Sequence, residues 1–240
     1  MINIIYVNAP IGIGKTSLTK ILTEELGTKG FYEKVEDIPM LKKFYSAGEE
    51  SRKDLSFALQ IAFLNYRYSQ LREGLHLAEH HGMKNTVYDS SLLSDQLMAF
   101  NLHKRGEFQD EMFNLYLELS ANMQANVSGH PFHGLPDLVI YLDAPFELML
   151  DHIKLRGRDM EVQDPALRDY YHSVWETYKH WYENYSQAPV LKIDMNKYDF
   201  VNNMDDRNAV LDTIEHRLVD LGQLTAEEAH ELSKKRKAKD

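Results

Sequence analysis

Ala9-Pro10-Ile11-Gly12-Ile13-Gly14-Lys15-Thr16 follows an apolar run from Ile2 to Val7 and leads into a helical pattern from Ser17 to Leu26. A strand, a glycine-bearing loop and a helix in that order make a phosphate loop. Its backbone N–H groups close around nucleotide phosphates, its lysine reaches the β- and γ-phosphates, and its Ser or Thr hydroxyl takes magnesium. Gly12, Gly14, Lys15 and Thr16 fill those roles, and Ile13 and Ser17 complete the nucleotide-binding stretch. The pattern asks for glycine where this chain has Ala9, which an alanine satisfies only with a negative φ. A second group of reactive residues is Arg156-Gly157-Arg158, two cations about a glycine that lets a loop close over phosphate.

The elements that must position these residues alternate short strands with long helices, the pattern of a parallel sheet covered on both faces. Five strands are expected, around Ile4, Phe31, Val87, Val139 and Leu191. Helical spacing runs from Asp54 to His81, Leu92 to Leu102, Phe108 to Met123, Phe146 to Leu155 and Arg207 to Leu221. The segments 127–136 and 156–165 read as loops. Tyr171, Val174, Trp175, Tyr178, Trp181, Tyr182 and Tyr185 line one helical face, which marks core or subunit interface rather than a base-stacking platform. Ligands of open parallel sheets bind beyond the carboxyl ends of the strands. The carboxylates expected there are Glu33, Asp89 and Asp143. A phosphate cradle, magnesium, a carboxylate to take a hydroxyl proton and cations for the equatorial oxygens are the parts of phosphoryl transfer to an alcohol.

Composition narrows the class. The 240 residues suit one α/β domain, here 1–224, followed by a basic tail, 225–240, whose last seven residues, 234–240, hold five basic residues against Asp240 for a net +4. Thr225 with Glu228 reads as a helix cap, so the tail is expected to be a solvated helix end. The formal charge of −10 disfavours nucleic acid as a partner, and no stretch is apolar enough for a membrane span, which points to the cytoplasm. There is no cysteine, so a metal must be a hard cation on oxygen, and magnesium nucleotide fits.

Ala9 to Thr19, Phe31 to Val35, Phe44-Tyr45, Gln60 to Arg67, Asp89-Ser90-Ser91, Arg156-Gly157-Arg158 and the segment from Asp169 to Glu183 occur in the order of the landmarks of the deoxynucleoside kinases. The chain resembles that family from its first strand to about Leu221, and within it the bacterial deoxyadenosine/deoxyguanosine kinases. The resemblance implies a five-stranded parallel P-loop kinase fold with an arginine-bearing lid, usually as a homodimer, or as a heterodimer with a paralogue. It implies ATP and Mg2+ as donor and cofactor, and phosphorylation of the 5′-hydroxyl of a purine deoxynucleoside to its monophosphate in salvage. Residue by residue, it makes Glu33 the general base, puts Lys15 on phosphate, and puts Thr16 and Asp89 on magnesium. Tyr45 and Glu161 would hold the 3′-hydroxyl, Gln60 and Asp95 the base, and Arg156 and Arg158 the lid over the ATP phosphates.

The match breaks after the third strand, where the family's carboxylate–arginine–Ser/Thr triplet is Asp89-Ser90-Ser91. A preorganised cation beside a transferring phosphoryl group lowers the barrier by several kcal/mol, and serine supplies none. The chain also carries extra sequence around Gly48 to Arg52, from which Arg52 or Lys53 could reach back toward the phosphates. Two alternatives stand beside the kinase: a catalytically weak nucleotide-binding homologue acting as a partner subunit, favoured by Ser90, and a nucleoside monophosphate kinase. The latter needs more arginines in its acceptor pocket than Arg52, Arg67 and Arg72 provide.

Overall fold

In the computed structural model, which describes residues 3–33, 38–47, 49–127, 135–162 and 167–238, the first apolar run becomes the centre of a sheet. Strand β1 (Asn3–Asn8) has Ile4, Ile5 and Val7 fully buried, as a strand covered on both faces requires. It pairs in parallel with β3 (Asn85–Asp89) on one side and β4 (Leu138–Asp143) on the other. Beyond them lie β2 (Lys29–Phe31) and β5 (Val190–Asp194), so the order is β2-β3-β1-β4-β5 with every pairing parallel. The expected five strands are all present. The edge strands carry exposed lysines, Lys29 and Lys192, which discourage pairing with another chain.

Helix α1 (Lys15–Leu26) leaves the phosphate loop, packs on the sheet and stops at Gly27, whose φ of 59° closes the helix in the left-handed conformation. Helix α2 (Pro39–Ser46) was not foreseen, because Pro39 read as a breaker. It is the first helical residue, where the missing N–H has no partner to lose. The long helix α3 (Glu49–His81) starts five residues before its expected position, so Glu49 to Arg52 is helix rather than a free insertion. At 33 residues it is roughly 50 Å long and passes the whole site. Helices α4 (Leu92–Lys104) and α5 (Asp110–Val127) pack against it. The expected loop at 127–136 and the stretch around Lys34 and Val35 lie mostly outside the described residues.

Helix α6 (Phe146–Arg156) ends at Gly157, φ 64°, and the short helix α7 (Asp159–Val162) follows. The expected loop at 156–165 is thus, as far as it is described, a helix end, a glycine hinge and a second helix. Helix α8 (Leu167–Asn184) buries Tyr171, Val174, Tyr178 and Trp181, so the aromatic face is core. Helices α9 (Met204–Asp220) and α10 (Ala226–Lys237) complete the chain. Thr225 and Glu228 form the expected capping box, and Lys234, Lys235 and Lys237 are solvated. Arg236 departs from the reading of a solvated end. It is buried and ion-paired to Glu25 of α1 and to Asp212 and Glu215 of α9.

Candidate active site

The phosphate loop owes its shape to two glycines. Gly12 and Gly14 have φ of 82° and 98°. A Cβ on Gly12 would lie 3.0 Å from Ile153 Cγ1, so that position is closed to side chains on two counts. Ala9 is fully buried, and Ser90 is the one non-glycine with positive φ among the described residues, so alanine is accommodated at the mouth of the loop. Gly14 supplies no side-chain cap to α1 and the first turn has no acidic residue, which leaves its N–H groups and dipole to attract an anion.

Lys15 Nζ donates to the carbonyls of Ala9 at 2.9 Å and Pro10 at 3.0 Å. Burial lowers its pKa, and Asp89 and Glu33 oppose that shift. Thr16 Oγ1 donates to Asp89 Oδ2 at 2.5 Å. Burial raises the Asp89 pKa against the pull of Lys15 and Thr16. The two residues expected to take magnesium therefore already place hydroxyl and carboxylate oxygens together beside Lys15.

Lys15, Thr16 and Asp89 line one cavity of about 270 Å³, together with every other expected site residue except Ile13. Ile13 is fully buried, so only its backbone can serve a ligand. Asp143, which the topology placed near the crevice, does not line it. Lys179 Nζ at 2.7 Å and Lys192 Nζ at 3.4 Å hold its carboxylate at the β4–β5 side of the sheet. Arg52 is also elsewhere. Its Nε lies 3.1 Å from Glu107 Oε2, with both side chains almost wholly buried, and Lys53 does not line the cavity either. Arg52 precedes Gln60 by eight residues, roughly 12 Å along the helix, which keeps it from the phosphates.

The cation from α3 is Arg67, which the sequence reading left out of the site. Gln60, Phe63 and Arg67 are spaced i, i+3, i+7, one face of a helix, and that spacing was the available signal. Arg67 Nη2 stands 3.1 Å from Glu33 Oε2, its Nε 3.7 Å from Asp95 Oδ1, and its Nη1 3.4 Å from the Asp89 carbonyl. Two neighbours on α3 hold the segment before Glu33, since Tyr66 Oη and Gln70 Nε2 donate to the Tyr32 carbonyl at 2.9 and 2.8 Å.

Asp95 reaches the cavity through the turn after β3. Ser90, with φ 72°, makes the sharp exit from the strand. Ser91 then caps α4 by accepting the Ser94 N–H at 3.2 Å, which puts Asp95 in the first turn of that helix. Burial pushes the Asp95 pKa up to about 7 although Arg67 pulls it down. Gln60 Oε1, Arg67 Nε and Asp95 Oδ2 are buried without a hydrogen-bond partner among the described residues. Leaving such atoms unmet costs about 1–3 kcal/mol each, so an acceptor and donor set of this kind calls for a polar ligand.

At the other end, one carboxylate gathers the lid. Glu161 Oε2 accepts from Arg156 Nη2 at 2.5 Å and Nε at 3.0 Å, and Arg158 Nη1 lies 3.4 Å from Oε1. Tyr171 Oη donates to the Glu161 carbonyl at 2.8 Å, fixing α7 on α8. Tyr45, on α2, lines the same end, and burial raises its pKa well above normal, which keeps it a neutral hydroxyl.

The family model for deoxynucleoside kinases matches residues 5–220. The chain belongs to the deoxynucleoside kinase family. A deoxyadenosine kinase of Lactobacillus acidophilus is 38% identical over 227 residues, covering 93% of this chain and all of that protein. A deoxyguanosine kinase of the same organism is also 38% identical, over 92% of this chain and 93% of its own. A deoxyadenosine/deoxycytidine kinase of Bacillus subtilis is 32% identical, over 88% and 91%. Among solved structures, deoxyadenosine kinase from M. mycoides with bound dATP superposes with a TM-score of 0.70 at 22% identity, covering 88% of this chain and 98% of that one. That likeness concerns the fold. The family is one of nucleoside kinases, so the monophosphate kinase alternative falls away, in keeping with a cavity whose α3 arginine is already engaged by carboxylates.

Proposed function

We propose that this deoxynucleoside kinase transfers the γ-phosphoryl group of ATP to the 5′-hydroxyl of a purine deoxynucleoside. The observation that carries the reading is that Lys15, Thr16, Glu33, Gln60, Arg67 and Asp95 all line one cavity, the last three each with a buried polar atom that has no hydrogen-bond partner among the described residues. A phosphate cradle, a carboxylate and a base-reading set are thus within one ligand's length. Two relatives of equal identity, one named for deoxyadenosine and one for deoxyguanosine, support a purine. Gln60 can donate and accept at once across a base edge, and Tyr45 and Glu161 take the sugar 3′-hydroxyl.

In the reaction Glu33 accepts the 5′-hydroxyl proton as that oxygen bonds to the γ-phosphorus and the bond to the ADP oxygen breaks. Lys15 balances charge on the β- and γ-phosphates. Arg156 and Arg158 leave Glu161 for the phosphate oxygens, with Gly157 as the hinge between them. Thr16 and Asp89 suit magnesium, since both offer hard oxygen ligands beside the phosphate lysine. When bound there with nucleotide, the ion would supply charge neutralisation at the phosphates.

The same reading takes residues 1–224 as the kinase domain, with 225–240 appended, and places the protein in the cytoplasm. No described helix is long and apolar enough to cross a membrane. A homodimer is supported by Met112 and Leu115, large apolar side chains exposed three residues apart on α5. Light scattering tests that assembly.

Turnover with deoxyadenosine and deoxyguanosine, with deoxyadenosine monophosphate as the control acceptor, tests the function. Glu33→Gln is expected to lower kcat by about 10²–10⁴ with little change in nucleoside KM. An unchanged kcat removes Glu33 as the base. Inactivity of the natural chain, with activity appearing in Ser90→Arg, would overturn the kinase reading and favour the catalytically weak homologue.

A further inference from the structure

The residue after β3 is Ser90, which bears no charge, and the cation against Glu33 comes from α3 instead. Arg67 is 2% exposed and Glu33 24%, so their contact at 3.1 Å is shielded from water mainly on the arginine side. The same guanidinium faces Asp95 through Nε, at 3.7 Å, and that Nε has no hydrogen-bond partner among the described residues. Nη1 is held by the Asp89 carbonyl and Gln70 Oε1, each at 3.4 Å. One planar group therefore faces the catalytic carboxylate through Nη2 and the base-reading carboxylate through Nε.

We propose that Arg67 is the positioning residue for the Glu33 carboxylate, and that its rigid guanidinium ties occupancy of the base pocket to alignment of that carboxylate. The inference rests on the reading of Glu33 as the general base. A guanidinium presents its donors in a fixed fork, so a ligand that satisfies Nε sets the plane of the whole group. Nη2 is then set as well, and with it the direction in which Glu33 points. Tyr66 and Gln70 fix the backbone ahead of Glu33 from the same helix, which leaves the carboxylate torsions as the freedom Arg67 removes. A lysine keeps the charge but, as a compact point charge on a flexible stem, loses the rigid link between the two contacts.

The test is a double-mutant cycle on kcat and KM for deoxyadenosine at saturating ATP. Arg67→Met is expected to lower kcat by about 10²-fold in the natural protein. In the Glu33→Gln background the same change is expected to lower kcat by no more than about threefold, because residues that act through one another are not additive. Equal losses in both backgrounds, or a loss confined to KM, overturn the proposal. Arg67→Lys is run in the same two backgrounds and keeps the buried carboxylates compensated, so it carries the cycle if Arg67→Met does not fold. Its smaller loss must likewise vanish with Glu33→Gln. If Glu33→Gln alone leaves kcat unchanged, the general-base reading fails and takes this proposal with it. Additive losses overturn the role of Arg67 and leave Glu33 in place.

Discussion

Removing the Arg236 guanidinium is expected to destabilise a protein whose basic tail looks dispensable by sequence. Arg236 is 5% exposed, and its Nη1 lies 2.7 Å from Glu215 and 2.5 Å from Glu25. Its Nη2 is bonded to Asp212. Breaking a buried ion pair from one side costs about 3–5 kcal/mol, because the partner charge stays buried and uncompensated. Glu215 is 2% exposed and bears that cost in full. Glu25 at 15% and Asp212 at 40% are open enough for water to recover part of theirs, so the lower end, about 3 kcal/mol, applies. For a domain of this size 1 kcal/mol moves Tm by roughly 2–4 °C, so Arg236→Met should lower Tm by roughly 6–12 °C.

Thermal melts by circular dichroism read the change, with Lys235→Met as the solvated control expected to shift Tm by less than about 2 °C. The gap should also narrow at lower pH. Burial and Glu215 raise the Glu25 pKa, and Arg236 is the group that pulls it back. Without Arg236 the folded protein holds a proton on Glu25 to higher pH than the unfolded chain does, so the variant gains stability relative to the natural protein as pH falls toward the carboxylate range. Equal shifts for Arg236→Met and Lys235→Met would refute the anchoring of α10 on α1 and α9.

Two further outcomes follow from the same structure. Asp95, with its folded pKa raised to about 7, binds a proton that the unfolded chain has released, so its contribution to stability is present at low pH and lost as pH rises from about 4 to about 7. Asp95→Asn should flatten that fall in a pH series of denaturant melts, and an unaltered slope would count against the burial of the carboxyl. Ser90→Gly should raise Tm by roughly 1–4 °C, since releasing a side chain from φ 72° regains about 1–2 kcal/mol and the added chain entropy takes back part of it. A lower Tm would mean that the Ser90 hydroxyl contributes more than its backbone costs.

The phosphate loop, the five strands and the lid arginines were legible in the chain because each is written locally. Glycines stand where φ must be positive, apolar runs have strand length, and charged residues sit at fixed offsets from a glycine. That Gln60 and Asp95 share a cavity was suggested only by the resemblance, since they are ordinary polar residues in helices until α3 and α4 face each other. Three decisions belonged to tertiary structure alone. Arg52 and Arg67 lie on one helix, and which of them meets Glu33 depends on where α3 crosses the sheet, which put Arg52 on Glu107 and Arg67 on Glu33. Asp143 stands at the end of a central strand as a site carboxylate would, yet Lys179 and Lys192 from its neighbours neutralise it. Arg236 is one of four cations in a row, and only the packing of α10 against α1 and α9 selects it for burial. Local sequence determines backbone conformation and the order of elements. The partner of a charge is chosen across the fold, by groups tens to hundreds of residues away.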